Sequence, residues 1–189
     1  MEQLGHDQIG FISPVIVQAK LIIQKLWAAG VEWDENLLGT SIATEWFNWY
    51  QNLEGIKEIQ ISRQYVPENI VAKKTEVHIF CDASEKGYAT VAYLCMEEDS
   101  GQRYTALLTS KTKVAPLKMI TLPRQELLAA LIGSRLSLVI RRALKVDLEI
   151  YFWSDSTITL HWIKNVEVRW KTFVENRVQE IREHTDPVQ

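Results

Sequence analysis

Two β-rich runs that each end in an aspartate, with one long amphipathic stretch between them, constrain this chain more than any other feature. The first is Val77-His78-Ile79-Phe80-Cys81-Asp82, closed by a small-residue turn at Gly87. The second is Asp147-Leu148-Glu149-Ile150-Tyr151-Phe152-Trp153, followed at once by Ser154-Asp155. Runs of this kind read as strands that carry a carboxylate to the C-terminal tip, and in open α/β sheets that tip is where ligands sit. Each aspartate also has an ordinary structural use. Asp82 can cap the turn that follows it, and Asp155 can cap a following helix.

The stretches between and around them set the topology. Residues 87–97 and 102–111 predict two further strands, paired as a hairpin about Glu98-Asp99-Ser100-Gly101. A long helix is expected over 122–144, with Pro123 in its first turn and Leu127, Leu128, Leu131, Ile132, Leu136, Val139 and Ile140 forming a wide apolar face. Two shorter helices follow, 156–164 and 170–183. Three strands, a helix, a strand and two helices predict an α/β fold with a mixed sheet. A right-handed crossover through 122–144 sets the fourth strand parallel beside the first, and Asp82 and Asp155 then face each other across ~5 Å of sheet spacing.

Glu126 falls in the first turn of that long helix. Behind it Ala130, Gly133 and Ser137 recur at 3–4-residue steps, small enough to let the helix lie close on the sheet and bring Glu126 toward both aspartates. Taken alone, Glu126 could merely complement the helix dipole. Three converging carboxylates repel one another, however, unless a cation neutralises them. Mg²⁺ is a hard ion that takes oxygen ligands and keeps several waters. Two such ions ~3.5–4 Å apart form a clamp for phosphoryl transfer.

The residues ahead of this pattern have a different character. A helix is expected over 11–29, capped by Ser13 with Pro14 in its first position, and a second over 41–54 carrying Trp46, Trp49, Tyr50 and Leu53 at helical spacing. Residues 56–76 read as short extended segments interrupted by Pro67, and Lys73-Lys74-Thr75 as a linker into a new domain. Four of the seven tryptophans precede residue 50. Packing between two short helices is the simple use for them, and stacking on nucleic-acid bases the alternative.

Composition narrows the classes. With 189 residues, 47% hydrophobic and 24% charged, the chain can bury one sizeable core, or one domain plus an attached piece, and disorder is excluded as the default. The net charge of −3 excludes whole-surface attraction to a polyanion, so a local basic patch is required. Such a patch exists. From Ser100 to Gln125 there are five basic residues, Arg103, Lys111, Lys113, Lys118 and Arg124, and no acidic one. A run of this kind is either a solvated face or, beside Glu126, a holder of phosphates. Cys81 and Cys95 lack metal-ligand or disulfide spacing and read as free thiols of a reducing compartment. No signal peptide opens the chain, and the apolar stretches around 15–29 and 127–140 are broken by Lys, Gln or Arg. A soluble, cytoplasmic protein or fragment is expected.

Several stretches, taken in order, carry a resemblance. They are Phe80-Cys81-Asp82-Ala83-Ser84 with Gly87-Tyr88-Ala89, Ser110-Lys111-Thr112-Lys113-Val114-Ala115-Pro116, Leu122-Pro123-Arg124-Gln125-Glu126-Leu127-Leu128-Ala129-Ala130, Trp153-Ser154-Asp155-Ser156, and Lys171-Thr172-Phe173-Val174-Glu175-Asn176-Arg177-Val178. Over residues 77–189 the chain resembles the ribonuclease H domain of long-terminal-repeat retrotransposon polyproteins of the BEL/Pao type. Gly10-Phe11-Ile12-Ser13-Pro14 and Leu26-Trp27 resemble the segment that joins the polymerase part of such a polyprotein to its ribonuclease H.

The resemblance implies a ribonuclease H-like domain over 73–189 and a helical connection segment over 1–72. It implies that Asp82, Glu126 and Asp155 bind two Mg²⁺ or Mn²⁺ ions and hydrolyse the RNA strand of an RNA/DNA hybrid. The remaining polymerase segments would be the other partner, virus-like particles the setting, and no membrane would be involved. Glu in the middle of the triad separates this order from integrases and transposases, which end in Glu. The family carries one more strand and a C-terminal helix with a fourth acidic residue. This chain stops at Asp186-Pro187-Val188-Gln189, so a domain lacking its last strand and helix, with a weakened second ion site, is expected. A non-catalytic retroelement fragment that binds nucleic acid or a protein is the alternative. Hybrids are read through backbone shape and 2′-OH groups, which makes Ser84, Lys111, Lys113, Arg124 and Ser156 the substrate-contact candidates, followed by Asn176 and Arg177.

Overall fold

A computed structural model describes residues 7, 9–60, 62, 64–66, 70–146 and 148–186. Its centre is a four-stranded sheet in the order β3-β2-β1-β4. Strand β1 spans Ala72–Ser84, β2 Gly87–Glu98, β3 Arg103–Val114 and β4 Glu149–Trp153. β1, β2 and β3 form an antiparallel meander, whereas β4 runs parallel to β1 with Phe80 opposite Trp153. The connection from β3 to β4 runs through the helix α3, Leu122–Leu144. A parallel neighbour needs such a crossover, and here it makes both apolar runs end at the same edge of the sheet.

Strand parity decides which side chains enter the core. Val77, Ile79 and Cys81 alternate inward and stand opposite Leu94, Ala92 and Thr90, all of them buried. Helix α3 lies on this face through Ala129, Leu136 and Ile140. Its approach depends on Gly133, where a methyl group would come within 2.6 Å of Cys81 Sγ and 3.2 Å of Thr90 Oγ1. On its other side α3 meets α5, Thr172–His184, where Leu127 and Leu131 pack with Val174, Val178 and Ile181. Each such fully buried aliphatic side chain stabilises the fold by roughly 1.5–3 kcal/mol. Val139 departs from expectation, since it faces neither the sheet nor α5 and is 57% exposed.

The short helix α4, Thr157–Lys164, is fixed to α5 by Arg182, which donates to the carbonyls of Trp162, Ile163 and Asn165. Trp170 Nε1 donates to the Trp162 carbonyl from the connecting loop. These bonds satisfy the free carbonyls at the C-terminal end of α4 and so brace the segment that follows β4.

Ahead of the sheet, α1 spans Ser13–Ala29 and α2 Ser41–Asn52, with a 3₁₀ turn over Leu53–Glu58. Trp49 Nε1 donates to the Val15 carbonyl at 3.0 Å, so this tryptophan packs the two helices together. α1 also touches β3. Ser110 donates through its N–H to the Ile9 carbonyl and through its hydroxyl to the Gly10 carbonyl, and Gln24 Nε2 donates to the Ala115 carbonyl. Gly10 has φ +80° and lies so close to Ser110 that any side chain would collide with it.

Three boundaries differ from the sequence reading. Ile12, not Ser13, occupies the N-cap of α1, because the Ser13 hydroxyl is drawn to Ser110 Oγ while the Asp7 carboxylate accepts from the N–H groups of Gly10 and Ile12. Lys73-Lys74-Thr75 is strand rather than linker, held by pairing of β1 with Met96 to Glu98. β3 runs past its expected end at Lys111 to Val114, since Thr112 and Lys113 pair with Ala89 and Tyr88. Pro67, placed in the interrupted stretch before the sheet, lies outside the described residues. Among the described residues no helix is long and apolar enough to cross a membrane.

Candidate metal centre

Each of the three carboxylates is released from its ordinary structural use by a neighbour. At the end of β1, the turn into β2 is tied by Ser84, whose hydroxyl donates to the Gly87 carbonyl and accepts from the Lys86 N–H. Among the described residues, Asp82 has only the adjacent Ala83 N–H on Oδ1, at 2.7 Å. After β4, α4 is capped by Ser156, whose hydroxyl accepts from the Thr159 N–H and donates to Thr159 Oγ1. Asp155 is therefore not the cap. Glu126 lies beyond the first turn of α3 and is buried, so it does not serve the helix dipole from solvent.

Freed in this way, the three converge. One ligand oxygen from each of Asp82, Glu126 and Asp155 lies within 4.8 Å of the other two. Asp82 and Asp155 are exposed, whereas Glu126 is 7% exposed and its Oε2 has no hydrogen-bond partner. Burial, then the neighbouring Asp82 and Asp155 charges, push the Glu126 carboxyl up to about 7, against the pull of the Ala83 N–H. A buried carboxylate oxygen with no donor and two like charges beside it is costly unless a cation compensates. Three carboxylate oxygens with no nitrogen or sulfur donor suit a hard divalent ion such as Mg²⁺ or Mn²⁺. The residues fit the ion.

The substrate-contact candidates are more scattered. The hydroxyls of Ser84 and Ser156 are committed to the turn and the cap just described. Lys111 and Lys113 are exposed on β3, two strands from β1, or about 10 Å away by strand spacing. Asn176 is exposed on α5. Arg124 and Arg177 are half-buried beside one ring, Phe173, at 5.0 and 3.7 Å from its centroid. The sequence reading singled out neither Phe173 nor Gln125 as a site residue. Gln125 is 5% exposed with its Oε1 unpartnered, next to Glu126. A glutamine inside a helix carries no local sign of burial, so neither its spacing nor its type marked it.

A mixed sheet of this order, with its crossover helix and a carboxylate cluster at the shared strand ends, defines a ribonuclease H-like α/β protein. Residues 4–156 match the Pao retrotransposon-like RNaseH-like domain family, and the chain belongs to it. No curated protein matches the chain.

Proposed function

We propose that this chain is the ribonuclease H part of a retrotransposon reverse transcriptase and hydrolyses the RNA strand of RNA/DNA hybrids in a divalent-ion-dependent reaction. The observation that carries this reading is Glu126, buried with a partnerless Oε2 and within reach of two exposed aspartates. Asp82, Glu126 and Asp155 would hold the ions. When bound, Mg²⁺ or Mn²⁺ supplies a water of lowered pKa and positive charge against the departing oxygen.

The rest is the work of the chain's own side chains. The Ala83 N–H holds one oxygen of Asp82, which orients that carboxylate in advance. Glu126 sits on the rigid first half of α3, so its position is set by the packing of Gly133 against Cys81 rather than by a loop. Ser156 stiffens the Asp155 segment by capping α4. Lys111 and Lys113 offer exposed positive charge to phosphates along one side of the sheet, a sequence-independent contact weakened by salt. Residues 1–72 we read as the connection to a polymerase, and residues 73–189 as the hydrolytic unit.

The test is cleavage of a labelled RNA/DNA hybrid in Mg²⁺ or Mn²⁺, with an Asp155→Asn chain as control. Cleavage of the RNA strand that the substitution abolishes is expected. Wild-type protein that leaves the hybrid intact in both ions, or cleavage that survives Asp155→Asn, would remove the hydrolytic reading.

A further inference from the structure

Helices α3 and α5 bring their N-terminal ends together beside the carboxylate cluster. Neither end receives a hydrogen bond from a capping side chain. Arg124, two residues ahead of Glu126, and Arg177, on α5, both approach the Phe173 ring. Three other arginines near the sheet and helices have a partner. Arg103 pairs with Glu97, Arg135 with Glu180, and Arg182 with three carbonyls. Among the described residues, neither Arg124 nor Arg177 has an acidic partner within ion-pair distance. Arg177 donates once, to the Phe173 carbonyl at 2.7 Å, and its Nε is buried with no acceptor.

The acids around them are committed elsewhere: Glu180, whose charge favours Arg177, is bonded to Arg135 through both carboxylate oxygens. Glu175, the acid in the first turn of α5, is occupied by the Trp170 N–H and by Gln179 Nε2. Burial, then the Arg135 and Arg124 charges, disfavour the Arg177 charge, while nearby Tyr88 and Glu180 favour it. Tyr88 in turn lies opposite Ala83, the residue after Asp82, and opposite Lys113 on β3. Two guanidiniums with no ion-pair partner among the described residues, two uncapped helix N-termini and a buried orphan N–H therefore share one corner, next to the carboxylates. Guanidinium forks match phosphate oxygens, and helix N-termini favour anions.

We infer that Arg124 and Arg177, held in place by Phe173, clamp one backbone phosphate of the nucleic-acid strand that lies at the carboxylate cluster. Phe173 is a positioning residue here. Its faces attract both cations and hold the guanidiniums ready, against their mutual repulsion, until a phosphate bridges them. The inference rests on the nucleic-acid reading above, but it concerns binding and not hydrolysis.

The experiment measures binding of a fluorescein-labelled RNA/DNA hybrid to the full chain in EDTA, so that no cleavage intervenes, across 50–200 mM salt. Arg124→Ala is expected to weaken binding about 10-fold and to reduce the slope of log K against log salt by about 1, as loss of one phosphate contact does. Arg124→Lys keeps the charge and should restore the slope with weaker affinity. Phe173→Leu should weaken binding about 3-fold with the slope unchanged, as expected of a group that acts through its neighbours. Arg142→Ala, exposed at the far end of α3, serves as the neutral control. Arg124 is half-buried, so Arg124→Ala carries the test even where Arg177→Ala does not fold.

Wild-type affinity and slope in Arg124→Ala would overturn the clamp, as would an Arg142→Ala effect of equal size, or no hybrid binding by the wild type. A wild type that binds with the expected variant effects yet fails to cleave in Mg²⁺ would overturn the hydrolytic reading alone.

Discussion

Helices α3 and α2 belong to one chain and differ in almost everything that holds a helix in place. α3 has ten buried residues, among them Glu126, Gly133 and Ser137, and touches the sheet on one side and α5 on the other. α2 has none, and leaves Phe47 and Tyr50 more than half exposed. Both open on a threonine N-cap position, although only Thr40 caps with its side chain, its hydroxyl accepting from the Ala43 N–H. The difference teaches where precision is built. A carboxylate cluster needs its members held to fractions of an ångström, and only a helix enclosed on two sides offers that. α2 needs merely to stay attached, which Trp49 and the α1 contact with β3 accomplish.

The largest expected effect breaks the enclosed side of this comparison electrostatically. The Glu126 carboxyl is raised from an ordinary 4.5 to about 7 in the fold. The folded protein therefore binds more protons than the unfolded chain between these values, and stability falls as pH rises through that window. The ion-free protein should lose about 3 kcal/mol between pH 4.5 and 7.5 from this group. Glu126→Gln should flatten that pH dependence in thermal melts and remove the rise in Tm that Mn²⁺ brings to the wild type at pH 8. A Mn²⁺ response equal to wild type in Glu126→Gln would count against the site.

Steric disruption comes next. Gly133→Ala puts a methyl group against Cys81 Sγ and Thr90 Oγ1, and overpacking of this kind costs about 1–3 kcal/mol. Because α3 must lift, Mn²⁺ affinity should fall together with Tm. An unchanged affinity would show that the cluster tolerates a shift of the helix.

A break on the open side should act differently. Gly10→Ala meets Ser110 at a positive φ, a strain of about 1–3 kcal/mol, and should release α1 and α2 from β3. Limited proteolysis within residues 30–40 is then expected to quicken while Mn²⁺ affinity stays within about twofold, since no residue of α1 or α2 is in the cluster. The smallest effect belongs to Trp49→Phe, which removes the bond to the Val15 carbonyl and should lower Tm modestly, for about 0.5–1.5 kcal/mol.

Legibility in the sequence followed the range of the physics involved. Strand β2, helix α3 and the strand that ends at Trp153 were readable from period and turn residues, because those signals act within a few residues of the chain. So was the pairing of two strand-tip aspartates, since a crossover of this length leaves little choice of direction. The strand character of Lys73 to Thr75 and of Thr112 to Val114 was not readable. Neither stretch has an apolar alternation, and both are strands because β2 supplies their hydrogen bonds.

For the site, residue types and order alone picked out Asp82, Glu126 and Asp155 as the candidate carboxylates, and the fold brings the three together. Tertiary structure decided that none of them is spent elsewhere. Ser84 ties the turn, Ser156 caps α4, and the close seat of Gly133 buries Glu126 until one of its oxygens has no partner. The same holds for Arg124, which precedes Phe173 and Arg177 by about fifty residues and meets them only because α3 packs on α5. Local sequence determines what a segment can form. Which polar groups remain unsatisfied depends on every segment packed around them, and those surroundings exist only once the chain has folded.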